Sequence, residues 1–171
     1  MGKICLDKLT GNILVGCSIP VNGVKNIYIM HAEDVTFGAA TSGIITSATF
    51  TATGKSYRVE GYKQNIQITS AIRAMDASNK LDYSVMFKMP ANNTFMRSIL
   101  TGSFYVMVEY NDLEYNMIGV TSPLICTGMD GDSNANGKLY TVTLAAPDGS
   151  AGNYYTPVSP TVVSTIISKS V

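Results

Sequence analysis

Residues 81–120 read LDYSVMFKMPANNTFMRSILTGSFYVMVEYNDLEYNMIGV, and this stretch decides the fold. Leu81–Met89 has the period of a strand, and Pro90 with the Asn92-Asn93 pair stops it. Asn93 or Thr94 is placed to cap a short helix over Phe95–Leu100, where Phe95, Met96, Ile99 and Leu100 recur at helical spacing. Gly102 ends that helix. Phe104–Tyr110 then reads as a strand that is apolar on both faces through Val106, Met107 and Val108, the pattern of a strand covered on two sides. Asn111-Asp112-Leu113-Glu114 supplies a turn, and Tyr115–Val120 returns as the second half of a hairpin. One helix set into strand patterns predicts a mainly β fold, a β-sandwich or barrel with one short α-helix.

The flanking sequence agrees. Lys25–His31 puts Ile27 and Ile29 on one face and Tyr28 and Met30 on the other. Ile44–Ala52 carries Ile45, Thr49 and Thr51, residues suited to a pleated surface. Tyr57–Ile72 is a long strand pattern, and Gly61 within it signals a bulge or a close backbone approach. Asp76–Lys80 reads as a polar turn, and Leu139–Ala145 is the last firm strand. Val162–Ile167 reads as an apolar, β-branched segment fit to pair with a neighbour. The expected organisation is one β domain over 1–150 and a C-terminal arm over 151–171.

Composition narrows the function. Of 171 residues, 46% are hydrophobic and only 14% charged, against about a quarter charged in an average domain. Such a surface is wet but weakly ionic, so another copy can cover it without stripping many charges of water. Twelve basic residues balance twelve acidic ones, which leaves no bulk attraction for nucleic acid. Lys55, Arg58 and Lys63 form the one dense basic cluster beside tyrosines. Cys5, Cys17 and Cys126 have no CxxC spacing and are odd in number, which predicts free thiols rather than a disulfide framework or zinc site. No apolar run reaches the length of a membrane span. Leu14-Val15-Gly16-Cys17 has the form of a lipoprotein cleavage box, but Asp7, Lys8, Gly11 and Asn12 break the apolar run it requires. Leu6 stands where myristoylation after Met1-Gly2 needs Ser or Thr.

Catalytic patterns are not met. His31 is the single histidine, so neither a two-histidine metal motif nor a Ser-His pair with an orienting base nearby is written in the sequence. It reads as a strand-end residue with a structural hydrogen bond. Gly131–Lys138 ends in Gly137-Lys138 but has Asp132 where a phosphate loop needs glycine. Asp130-x-Asp132-x-Asn134 opens like a calcium loop, yet Ala135 replaces the required glycine and Thr141 the closing glutamate. Glu33-Asp34 has no nucleophile placed against it. The expectation is a non-enzyme with no catalytic, cofactor-binding or metal residues and no cofactor.

Two further features suggest assembly. Ten tyrosines and no tryptophan fit either core-edge positions with wet hydroxyls or subunit contacts. Strand edges need cover, and edge prolines and lysines are sparse here. Gln67–Ile72 and Val162–Ile167 would be safest paired with a neighbouring copy, and strand addition around a closing rotation gives a ring.

Three stretches resemble a known family: Cys17 with Asn22-Gly23-Val24-Lys25-Asn26-Ile27-Tyr28-Ile29 up to Glu33-Asp34-Val35; Gly54-Lys55-Ser56-Tyr57-Arg58-Val59-Glu60-Gly61-Tyr62-Lys63-Gln64; and Asn136-Gly137-Lys138-Leu139-Tyr140-Thr141-Val142-Thr143-Leu144-Ala145-Ala146-Pro147-Asp148-Gly149. Together they resemble tail-tube-like virion structural proteins of Bacteroides-type phages and prophages, including the tail and ring proteins of crAss-like phages. The resemblance spans most of Cys17–Gly149. It implies a phage tail-tube-like β domain that packs side by side into homo-oligomeric rings, and rings that stack into a conduit through which DNA passes transiently. The helix at Phe95–Leu100 and the hairpin at Phe104–Val120 look like the corresponding parts. The implied partners are further copies of itself and other tail, neck or portal proteins, with no membrane. The implied location is the virion, after synthesis in the bacterial host cytoplasm.

The stretch beyond Pro147 departs most from the family. Tyr154-Tyr155-Thr156-Pro157 and Val162–Ile167 are expected to form an arm toward an adjacent ring or a portal-proximal partner. On that reading, loss of Ser159–Val171 leaves a folded monomer that assembles poorly. The Asp130–Gly137 and Ala39–Gly43 loops are expected at subunit contacts, and lumen-facing positions are expected to be hydroxyl-rich or weakly acidic. Two other classes remain open: another assembly module, such as a capsid-decorating protein or secretion-tube homologue, and a small carbohydrate-binding β-domain.

Overall fold

The computed structural model describes residues 23–61, 65–75, 78–90, 93–131, 139–148, 150 and 154–171. In chain order the first elements are β1 (Val24–His31), β2 (Val35–Phe37), β3 (Ala48–Phe50), β4 (Ser56–Glu60), β5 (Ile66–Met75) and β6 (Ser78–Pro90). Then follow α1 (Asn93–Thr101), β7 (Ser103–Tyr110), β8 (Tyr115–Ile118), β9 (Leu124–Gly131), β10 (Leu139–Ala145), β11 (Thr156–Pro157) and α2 (Pro160–Ser168). The fold is mainly β, with two short helices where the sequence predicts one. Among the described residues, nine strands form one antiparallel sheet and β2–β3 form a second.

Period-two alternation explains the centre of the sheet. β1 lies between β4 and β7, with Ile27 opposite Val59 on one side and Val108 on the other. Successive side chains point to opposite faces, and both faces are covered here. Ile27, Ile29, Val106, Val108 and Ile118 enter an inner core with Val85, Phe87, Phe104, Leu124, Val142 and Leu144. Tyr28, Met30, Met107 and Met117 enter an outer core on the opposite face, where Val35 and Ile45 meet them. The doubly apolar run of β7 is therefore a strand buried between two cores. At about 25 cal/mol for each Å² of apolar surface removed from water, burial on both faces makes each apolar side chain of β1 and β7 stabilising.

Two bent runs carry the sheet around the inner core. β8 and β9 both lie on the same edge of β7, β8 along its C-terminal half and β9 at Ser103 and Phe104. Gly119 (φ +95°) makes the bend between them, where a Cβ would stand 3.1 Å from the Phe104 carbonyl oxygen. The long pattern Tyr57–Ile72 is two strands, β4 on β1 and β5 on β6. Gly61 sits at the break, and a Cβ there would lie 2.3 Å from the Val24 carbonyl oxygen. The close approach expected at Gly61 is present. Among the described residues β4 and β5 are not paired with each other, so no ladder between them closes the sheet into a barrel.

Several sequence expectations are corrected. Val162–Ile167 is helical, not a strand: Ser159 caps α2 through its hydroxyl, which accepts from the Val162 N–H at 3.4 Å, and Pro160 occupies the first turn. Val162, Val163 and Ile166 share one helix face and are buried in the outer core, as i, i+1 and i+4 positions can be in a helix and cannot be in a strand. The segment beyond Ser159 is thus packed on its own domain rather than extended away from it. Ile44–Ala52 contributes only β3, because Ile45 turns into the outer core and bonds to the Pro157 carbonyl. Ser78–Lys80 belongs to β6 rather than to a turn, and Leu124–Gly131 is a strand that the sequence reading passed over.

α1 does form where expected. Ile99 is buried, Phe95 and Met96 pack on the inner core, and Leu100 is left 56% exposed.

Candidate assembly surface

β5 and β6 run on past the rest of the sheet. β10 pairs with β6 only from Val85 to Pro90, while β5 and β6 stay paired out to Met75 opposite Ser78. The rungs from Thr69 opposite Ser84 outward form a two-stranded ribbon, a structure marginal by itself in water. Ile66, Ile68, Ser70 and Ile72 share a strand face, and the first two reach the inner core. Ile72, beyond the body, is 71% exposed. Among the described residues the outer edge of β5 has no partner strand.

The base of the ribbon is braced from the C-terminal segment. The Tyr83 and Tyr155 rings lie 4.1 Å apart, and the hydroxyls of Tyr110 and Tyr155 are hydrogen-bonded. Lys80 Nζ donates to the Ser150 carbonyl at 3.0 Å. Burial, then the bond with Tyr110, pushes the Tyr155 phenol well above its ordinary value. Tyr83, Tyr110 and Tyr155 therefore meet at the edge of the inner core.

A buried polar group lies beside Tyr110 at the C-terminal end of β7. Glu109 is 3% exposed, and its carboxylate accepts from Asn26 Nδ2 at 2.7 Å, Lys25 Nζ at 2.8 Å, and the Tyr28 and Tyr115 hydroxyls at 3.2 Å each. Burial alone would raise the carboxyl pKa; the donors from Asn26, Lys25 and Tyr115 outweigh it and hold the group below the ordinary carboxylate range. Sequence reasoning missed this cluster. Its one signal was a glutamate inside the apolar run Phe104–Tyr110.

The open seam between β4 and β5 is flanked by two hollows. One, of about 620 Å³, lies between the start of β1 and β5 and is lined by Val24, Gly61, Ile66, Ile68, Tyr110 and Tyr155. The other, of about 540 Å³, lies between β4 and the end of β6 and is lined by Arg58, Val59, Lys88, Met89 and Phe95 among others.

The residues considered for chemistry stay apart. His31 packs its ring 4.8 Å from Phe104 at the end of β1. Ser98, across a shallow cleft from it, donates to the Thr94 carbonyl of its own helix at 3.3 Å. Arg58 pairs with Glu60 at 2.7 Å on the exposed face of β4; Lys55 is exposed, and Lys63 lies outside the described residues. Asp130 is exposed at the end of β9, and 132–138, with the rest of the calcium-like loop, lies outside them too. So do Cys5, Cys17 and Tyr62. Cys126 is half-buried and donates to the Gly128 carbonyl at 3.4 Å, and burial pushes its thiol up. Among the described residues no three His, Cys, Asp or Glu side chains gather as a metal site, and no helix is long and apolar enough to cross a membrane.

The stretches that carry the family resemblance map onto β1, β4 and β10 where they are described. No family model, curated protein or solved structure matches the chain.

Proposed function

We propose that this chain is a structural subunit of a phage tail tube or of a tail or neck ring, assembling with copies of itself into a conduit for DNA. The observation that carries the reading is the ribbon of β5 and β6, whose outer edge has no partner strand among the described residues and which carries the exposed Ile72. Long free edges invite pairing with another chain. Identical subunits joined by such an edge around a rotation that closes make a ring. The resemblance of β1, β4 and β10 to tail-tube-like proteins supports the same reading and supplies its finer part, a tail-tube-like domain in a virion.

The outward face of β5, β6 and β10 suits a conduit wall. Its positions alternate with the buried Ile66, Val85, Phe87, Val142 and Leu144, and include Gln67, Thr69, Ser84, Thr141 and Thr143. Thr69 and Ser84 hydrogen-bond to each other across the strands. This face, mostly hydroxyl and amide with Met86 and Lys88 among its positions, holds polyanionic DNA weakly, because tight binding needs several phosphates neutralised at once.

Electron microscopy of the purified chain tests the proposal. Rings or stacked tubes with an open centre are the expected particles; a uniform population of single small subunits at high concentration would overturn it.

A further inference from the structure

The tip of the β7–β8 hairpin carries a side chain that its own fold does not require. Asn111, Asp112 and Leu113 form a three-residue loop. The Leu113 N–H donates to the Tyr110 carbonyl at 3.1 Å, and the Tyr110 N–H to the Glu114 carbonyl at 3.0 Å. Such loops turn through a last residue in the left-handed region, where glycine is favoured. Here that residue is leucine, with φ +66° and 64% exposed. A lone exposed leucine is ordinary; one held in a backbone conformation that its Cβ disfavours is not. Strain kept where burial does not repay it within the chain marks a position selected for a contact outside it. Asp112 and Glu114 flank the leucine, and Asp112 Oδ1 accepts from the Glu114 N–H at 3.2 Å. The tip is thus an apolar point between two carboxylates.

A complementary recess lies on the other flank of the sheet. The hollow of about 540 Å³ between β4 and β6 has apolar walls of Val59, Met89, Pro90 and Phe95. Among the described residues that line it, Arg58 and Lys88 stand against one acidic side chain, Glu60. The strands run in the order β4, β1, β7, β8. β1 and β7 therefore separate the hollow from the β8 side of the tip, and a tip does not reach the hollow of its own chain.

We infer that Leu113 of one copy seats in the hollow between β4 and β6 of a neighbouring copy, with Asp112 and Glu114 toward Arg58 and Lys88. Seating removes the leucine from water, and the opposite charges at the rim guide the approach. The giving and receiving patches differ, so each copy gives to one neighbour and receives from another. Such a head-to-tail contact closes into a ring when its rotation closes. The inference rests on the assembly reading above and gives it a knob and a socket.

Leu113→Gly in the full chain tests it. Glycine suits φ +66°, so the variant should melt at or above the temperature of the unaltered chain while its particles fall to small species in light scattering. Particles of unchanged mass would overturn the contact and leave the ring reading standing. Disulfide trapping locates the socket. In a background with Cys5→Ser, Cys17→Ser and Cys126→Ala, copies carrying Leu113→Cys are co-expressed with copies carrying Val171→Cys. Val171 lines the hollow and is 67% exposed. Mixed covalent dimers should form several times more readily than with Ser42→Cys, an exposed position between β2 and β3. Equal trapping at the two positions, or Leu113→Cys pairing mainly with itself, would overturn the contact. Absence of any particle from the unaltered chain would overturn both the contact and the ring reading.

Discussion

Lys25 and Glu109 face one another across paired strands, with Nζ 2.8 Å from Oε1. The ion pair is the exposed rim of a buried network, since the Lys25 side chain is half exposed and that of Glu109 is almost fully covered. The carboxylate's remaining capacity is filled by Asn26, Tyr28 and Tyr115. Removing the carboxylate leaves a buried amide and a buried hydroxyl without an acceptor, a cost of about 1–3 kcal/mol for each. Glu109→Ala should therefore lower stability by roughly 3 kcal/mol in denaturant melts, and Lys25→Ala should cost clearly less.

The same carboxylate predicts an acid limb. Its pKa is lowered in the folded chain, so its contribution is present above the unfolded carboxylate value of about 4.3 and is lost as pH falls through the folded value. Stability should drop below about pH 4, and Glu109→Gln should flatten that drop. Equal acid limbs in the two proteins would show that the network does not hold the charge.

The helical C-terminus separates two expectations about 159–171. Val163 and Ile166 are both buried on one face of α2, while Ile167 is 40% exposed. Ile166→Ala should cost about 2–5 kcal/mol, and Ile167→Ala well under half of that. Deleting Ser159–Val171 should expose the outer core and yield a poorly folded chain, not the folded monomer expected from a free arm. Circular dichroism and melting of the truncated chain check this directly.

What the sequence made legible was period. Ile27/Ile29 against Tyr28/Met30 in β1, the doubly apolar β7 and the helix around Ile99 were all readable, because alternation and helical spacing are local signals. α2 was misread since its Val, Ile and Thr residues favour strands; the Ser159-Pro160 start was the better guide. β9 was missed because Gly128 and an extra residue opposite Thr143–Leu144 interrupt its alternation. The ribbon and the Glu109 network depend on which strands end first and which side chains meet across them, relationships between segments far apart in the chain.

Gly61 gives a compact check on the bent path from β4 to β5. Gly61→Ala would press a methyl group against the Val24 and Lys25 carbonyls and should cost about 1–3 kcal/mol through backbone shifts. Gly128→Ala, where the nearest atoms lie at 3.8 Å, should change stability far less. Similar melts for both would remove the close approach as the reason for glycine there.

Tyr155→Phe should loosen the base of the ribbon. It removes the hydroxyl bonded to Tyr110, a loss of about 1 kcal/mol. The Tyr155 phenol is raised in the folded chain, so its stabilising effect is full below the unfolded value of about 10 and fades as pH rises above it. The alkaline fall in stability should be smaller in Tyr155→Phe. Faster amide exchange in β5 and β6 of that variant would locate the effect in the ribbon.

The most direct test of the account is the particle mass of the purified chain by light scattering, compared with Ile72→Lys. Ile72 is exposed, so the substitution leaves the fold intact while placing a charge on the proposed contact. The account predicts particles of many 18.3 kDa subunits for the unaltered chain and a shift to small species for the variant. Identical masses for the two proteins, whether large or small, would contradict it.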